Sequence, residues 1–473
     1  MKKKSLLLIL LTLVMVEVLS CKNNADPVNP VVEPVAETDE EFSGGKEGTI
    51  FDDTFNAFGN SLPSLTSDEI DRFVIGNSFN RNAWVAAPSS TTARDGLGPL
   101  FNATACANCH SLDGKSNPFD TETKPSSALL FRLSVPGQGA HGEPADDPNY
   151  GGQFNQRAIN QAEFEGEVEV SFSEIKGTYP DGTAYSLRKP VYSFKNLNYG
   201  AMNGTLISPR TAPPMIGMGL FDAVTEQTIL AHADPDDANN DGISGKPNYV
   251  WDVKNQKKVI GKLGWKANQP GSEQQTAAAF NGDLGITSNL FPKENLTEEQ
   301  FRRYGSLPNG GNPEVEETIL QNVVFYIRSL AVPARRNWKD KEILAGKQLF
   351  EKANCSGCHL PKMETGNYDS PKYVSKQVIR PYTDLLLHDM GDGLADNRPD
   401  FDANGKEWRT SPLWGLGLQV IVSKHTFMLH DGRARNVEEA ILWHGGEAEQ
   451  SKQAFMKYTK DERAGLLKFI DSL

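Results

Sequence analysis

Two short runs, Cys106-Ala107-Asn108-Cys109-His110 and Cys355-Ser356-Gly357-Cys358-His359, constrain this chain more than anything else in it. C-x-x-C-H is the attachment signature of a c-type haem. The two thiols add across the porphyrin vinyl groups, and the adjacent imidazole is placed to bind the iron. The two runs use four of the five cysteines, leaving Cys21. Gly98, Leu100 and Phe101 precede the first run, and Gly346, Leu349 and Phe350 precede the second, a spacing that predicts a short helix before each. Two other chemistries use C-x-x-C. A four-cysteine zinc site usually brings together knuckles tens of residues apart and needs no His after each second cysteine, whereas about 245 residues separate these two runs. A thioredoxin-like pair sits at a βα junction rather than after a helix of this kind. The sequence therefore reads as two covalently bound c-type haems, with proximal ligands His110 and His359.

The N-terminus agrees with that chemistry, because such haems are attached outside the cytoplasmic membrane. Lys2, Lys3 and Lys4 lead into an apolar stretch over residues 6–18 that ends at Leu19-Ser20-Cys21. This is the pattern of a lipoprotein signal peptide over residues 1–20, with Cys21 as the lipidated residue after cleavage; an ordinary signal peptide or an uncleaved anchor is the alternative. The expected location is the periplasm or cell surface, with the membrane reached through the lipid. Residues 21–48, rich in Pro, Glu, Asp and Asn, read as a disordered tether. The chain carries 61 Asp and Glu against 48 Lys and Arg, a net charge of −13. That argues against nucleic acid as a partner and allows a basic redox protein.

The remainder predicts a mainly α fold of two cytochrome c-like helical domains, the first carrying long irregular and β-containing insertions. Domain 1 spans residues 49–332 and domain 2 residues 333–473. Thr66-x-x-Glu69 and Thr459-x-x-Glu462 are capping boxes that start helices. Residues 316–330 and 461–473 read as closing helices, and residues 339–353 as the entry helix of domain 2. Residues 128–135 and 165–172 alternate as strands do, and Tyr179-Pro180-Asp181-Gly182 is a turn.

Longer runs carry a resemblance. Residues 96–104, Ser208-Pro209-Arg210-x-Ala212-Pro213-Pro214, residues 264–270, Glu407-Trp408-Arg409-Thr410 and His430-Asp431-Gly432-Arg433-Ala434 resemble the di-haem oxidoreductase family, also described as thiol oxidoreductases. It is a divergent relative of bacterial di-haem cytochrome c peroxidases and of a tryptophan-modifying enzyme. The resemblance implies one haem for chemistry and one for electron relay, fed by a small cytochrome or copper protein. It also implies a sixth ligand for haem two. The peroxidases place Met after a His-Asp-Gly turn and a Glu-Ala-Val run, and His444 falls there, with Met428 as the fallback and His430 holding a propionate or backbone. For haem one the resemblance implies an open distal face. Trp265, Gln275 ten residues on, and Asp283 occupy positions that in the peroxidases hold an aromatic bridge, a Gln and a catalytic Glu. Asp283 would then carry the proton and Trp265 the electron.

Asp237, Asn239, Asp241 and Gly242 match the start of a calcium loop, but position twelve is Asn248 rather than Glu. Calcium or an acidic surface turn both fit. Two functions stay open: a peroxidase-like enzyme relaying electrons from haem two to haem one, and a non-catalytic di-haem electron carrier. Oxidation of a partner protein or of iron-bound species is a third. Substrate, donor and oligomeric state are not written in the motifs.

Overall fold

The structure is a computed structural model and describes residues 35–473; the signal segment, Cys21 and residues 22–34 lie outside the described residues. Two helix pairs form its frame. The Ser67–Arg81 helix starts at the expected box, with the Glu69 carboxylate accepting from the Thr66 amide at 2.9 Å, and it packs against the Glu317–Arg328 helix. The Lys341–Lys352 helix packs in the same way against the Lys460–Ser472 helix, which starts at Thr459. Each pair crosses at a glycine. Gly76 leaves no room for a Cβ against the Asn322 carbonyl, and Gly346 leaves none against that of Gly465. Aromatic rings fill the same crossings, Phe73 on Tyr326 at 4.7 Å and Phe350 on Phe469 at 5.2 Å. One C-x-x-C-H run follows the first helix of each pair.

The expectation of a mainly α protein fails: the chain is 28% helical and 20% strand, in many small sheets. The reason is the chain between the first motif and the Glu317–Arg328 helix, where two-residue alternation and frequent Gly and Pro favour hairpins over helices. Leu129–Gln138 pairs antiparallel with Leu206–Thr211, so that Ser208 faces Arg132 and Arg210 faces Leu130. Glu167–Thr178 and Ala184–Lys195 form a long hairpin. The approach to the first motif is also not helical. Leu100–Phe101 is a short strand paired with Arg157–Ala158, whereas the approach to the second is the expected helix.

Residues 37–48 are not the loose tether that their composition suggested. Glu40 is buried against Arg335 and Lys347, the latter at 2.8 Å, and Thr49–Ile50 pairs in parallel with Val332–Pro333. Two cationic partners from distant parts of the chain outweigh a composition poor in core formers. The hairpin tip reaches the second half of the chain. The Tyr179 hydroxyl donates to Glu438 at 2.7 Å, and Arg463 pairs with Asp181 at 2.7 Å beneath the Tyr179 ring. No helix among the described residues is long and apolar enough to cross a membrane.

Gly346→Ala should lower stability by about 1–3 kcal/mol, because the added methyl overpacks a helix crossing. Chemical denaturation checks this, and an unchanged midpoint would mean that the crossing can widen at no cost.

Candidate haem site between the two halves

Both C-x-x-C-H runs fold as the same 3₁₀ turn, Cys106–Asn108 and Cys355–Gly357. The His110 amide donates to the Cys106 carbonyl at 2.9 Å, and the His359 amide to that of Cys355 at 3.0 Å. The turn places both thiols and the imidazole beside one space. None of the four cysteines forms a disulfide. Burial pushes the Cys106 and Cys355 thiols up to about 12.

A single cavity separates the two turns, with ≈ 3240 Å³ of atom-free space, mouth included. His110, His359 and His444 line it, as do Trp265, Gln275 and Asp283. Burial lowers His110 and His359 to about 4, so both are neutral imidazoles. His359 Nδ1 donates to the Tyr382 carbonyl at 2.9 Å, and a carbonyl can only accept, so Nε2 keeps its lone pair. His110 Nδ1 closes no hydrogen bond, although the Pro213 backbone is near enough to favour its protonation. His444 ends the Val437–Trp443 helix, and its Nδ1 donates to the Ala440 carbonyl at 2.7 Å. Both His359 and His444 line the cavity, and a charge on His444 would lower the His359 pKa further. Met428, the fallback ligand, also lines the cavity but is built into an aromatic core cluster.

Asp283 closes the Ser272–Leu284 helix near the first motif. Burial raises its pKa against the Gln153 Nε2 hydrogen bond at 2.8 Å, and its charge is felt at Cys106 and Cys109. Gln153 is in turn held by Arg132 at 2.9 Å. Gln275 lies on the same helix and faces the same space. Trp265 donates to the Thr211 carbonyl at 2.7 Å, with the Lys115 ammonium 5.0 Å from its ring. Burial pushes Lys115 down to about 7. Beyond Trp265, at 6.4 Å, His430 stacks on Trp408 at 3.8 Å and 12°. His430 is thus part of an aromatic stack, and its backbone carbonyl accepts from the Thr211 amide at 2.6 Å.

The acidic loop makes no comparable site. Asp237 accepts from the Asp241 and Gly242 amides, and Asp241 from that of Ile243, so the carboxylates close the turn themselves. Asn239 donates to Asp241, while Asn248 points away to the Lys266 and Asp400 carbonyls. Among the described residues no group of three or more His, Cys, Asp or Glu side chains converges as a metal site, which also leaves the zinc knuckles unassembled.

Sequence reasoning missed His388. It is buried with Nε2 2.8 Å from Asp384, Nδ1 2.7 Å from Glu447 and Cys358 Sγ at 3.5 Å. Burial disfavours its charge, but these partners outweigh burial and hold its pKa well above 6.5. Nothing in Leu387-His388-Asp389 marks it, because Asp384, four residues before it, becomes a site partner only together with Glu447, which comes from elsewhere in the chain. Gln153 and Arg132 were missed for the same reason.

The residues present fit a pair of haems: four unbridged thiols, three cavity-lining imidazoles, two of them held by main-chain carbonyls, and one shared cavity. The comparisons agree. The family model described as "Di-haem oxidoreductase, putative peroxidase" matches residues 37–473, and the chain belongs to that family. Neither the curated proteins nor the solved structures contain a match.

His388 stabilises the fold through a raised pKa, so its contribution is full below 6.5 and fades as pH rises through the folded value. The stability gap between the wild type and His388→Gln should be widest just below pH 6.5 and shrink toward alkaline pH. Denaturant midpoints across that range test it, and a gap that grows with pH would contradict the assignment.

Proposed function

We propose that this di-haem oxidoreductase carries covalently attached c-type haems at both motifs and reduces a peroxide or related oxidant at the first, as an exported protein anchored through lipidated Cys21. The observation that carries the reading is an asymmetry across one cavity. The second motif faces an oriented imidazole pair, His359 and His444, and the first faces the buried carboxyl of Asp283. When bound, the haems supply one-electron chemistry, with electrons from a small cytochrome or copper protein entering at the second motif and reaching the oxidant at the first.

The chain's own residues do the rest. The four thiols tether the porphyrins, and the carbonyls of Tyr382 and Ala440 hold His359 and His444 in the tautomer that presents Nε2. Asp283 keeps its proton to a higher pH than an exposed carboxyl, and Gln153 fixes one of its oxygens, which suits a group that gives and retakes a proton within hydrogen-bond reach. Trp265, locked by Thr211 and lining the cavity between the motifs, is the residue placed to couple them. His444 in place of a Met would hold the second haem's iron through an imidazole, which would favour ferric iron and lower that haem's potential.

Electron paramagnetic resonance of the ferric holoprotein tests this reading. One high-spin and one low-spin signal, with only the high-spin one answering peroxide, is the expected result, repeated with haem two reduced if both start low-spin. Two low-spin signals indifferent to peroxide in either state would make the protein an electron carrier. His444→Ala should turn haem two high-spin; an unchanged low-spin signal would hand the ligand position to Met428 or another residue. Asp283→Asn should slow peroxide turnover at least ~10²-fold, and an unaffected rate would remove it from the chemistry.

A further inference from the structure

We propose that Arg132 and Arg210 form a carboxylate-binding fork in the cavity wall, filled by a propionate of the haem held at Cys106, Cys109 and His110. This rests on the c-type reading above. The fork follows from strand geometry. Along Leu129–Gln138, the side chains of Leu129, Phe131 and Leu133 enter an aromatic core, and those of Leu130 and Arg132 take the opposite face, toward the cavity. On the neighbouring strand Ile207 packs against the same core and Arg210 faces the cavity. The sheet thus presents two guanidiniums side by side on the wall of a buried space.

These cations are short of counter-ions. Arg210 is 7% exposed, and its Nη2 lies 3.0 Å from Asp400 in an ion pair whose geometry leaves those protons without an acceptor. Arg398 shares the same Asp400 oxygen at 3.2 Å. Arg132 donates to Gln153 through Nη1 and leaves Nε unpartnered. Among the described residues Asp400 is the carboxylate at ion-pair distance from these guanidiniums; Arg210 and Arg398 share it, and the three cations hold it below its ordinary pKa against the opposing effect of burial. Asp396 pairs with Lys266 at 2.8 Å, and Asp283 accepts from Gln153 rather than from Arg132.

A buried cation without a partner is costly, and a carboxylate matches the planar fork of arginine better than any other anion of its size. The chain Arg132–Gln153–Asp283 ends beside Cys106 and Cys109, which assigns the fork to the first motif.

The test is the reduction potential of each haem in the intact di-haem protein, read by spectroelectrochemistry with paramagnetic resonance to tell the two apart. Arg210→Gln removes a cation that favours ferrous iron. It should shift haem one at least tenfold toward ferric, about 59 mV for a one-electron couple, and leave haem two in place. Arg210→Lys keeps the charge and loses the fork, so it should shift haem one less. If Arg210→Gln does not accumulate, Arg132→Gln is read in the same way. An unchanged haem-one potential with both haems still covalently bound would overturn the fork and leave the c-type reading standing. If acetate instead perturbs the wild-type haem-one spectrum, and Arg210→Gln abolishes that response without moving the potential, the fork takes a soluble carboxylate and the propionate assignment is wrong. A wild type whose denatured mass shows no attached haem would overturn the c-type reading and this proposal together.

Discussion

The orientation of His359 depends on a single main-chain carbonyl, and much of the second half of the chain is arranged to hold it. Tyr382, which supplies that carbonyl, has φ +54°, a left-handed conformation that a bulky residue rarely adopts. Strain of this kind persists only where the surroundings over-determine it. Here the ring is buried between Phe350 and Phe469, at 6.0 and 5.8 Å, which are the residues of the Gly346 helix crossing. A close helix pair, an aromatic box, a strained backbone and an aimed imidazole form one connected unit. The neutral state of the imidazole comes from the same enclosure, since burial sets its pKa near 4.

The halves are not independent copies of this unit. The insertions of the first half supply parts of the second. The hairpin tip grips the Val437–Trp443 helix through Tyr179 and Glu438, and Arg435 donates to the Ser186 carbonyl at 2.8 Å from the same turn of chain. Ser244 reaches Glu447 with both its amide and its hydroxyl at 2.9 Å, and Glu447 in turn holds His388 beside Cys358. The helix that ends in His444 and the turn that presents Cys358 are therefore both braced by residues of the insertions, Tyr179 and Ser244, far earlier in the chain. A large share of β structure is the physical cost of that bracing, because hairpins reach farther per residue than helices.

This division explains what could be read from the sequence. The local signals, two capping boxes, two C-x-x-C-H turns and the closing helices, depend on residues within four positions of one another. The hydrogen bonds that realise the boxes at Thr66 and Thr459 are all three residues apart. The overall class was misjudged because the β-containing insertions, although expected, make up far more of the chain than a mainly α fold allows. The segment 37–48 was misjudged because composition cannot report that Glu40 meets Arg335 almost 300 residues away. His388 and Gln153 were invisible for the same reason: Glu447 and Asp283, which complete their roles, are brought near only by the fold. His444, Trp265, Gln275 and Asp283 were reached by resemblance rather than by spacing, and the structure gathers all four on one cavity.

The distribution of charge gives the cavity its chemical character. The chain as a whole is acidic, at −13, yet the cavity wall carries Lys115, Arg132, Arg210 and Arg409 in buried or half-buried positions, and buried Lys266 and Arg398 adjoin it through Trp408 and the Asp400 carboxylate shared with Arg210. Lys266 is fully buried, spending its three protons on Asp396 and on the Arg398 and Asn404 carbonyls, and it lies 4.5 Å from the Trp408 ring. Lys115 stands over Trp265 in the same way. Each ammonium disfavours removal of an electron from the indole beneath it, because the ring would gain a like charge at short range in a medium of low dielectric constant. Both indoles are thereby biased toward remaining reduced while they fill the space between the motifs. In a chain that is acidic as a whole, the unpartnered guanidinium edges of Arg132 and Arg210 on the cavity wall are what draw anionic groups to it.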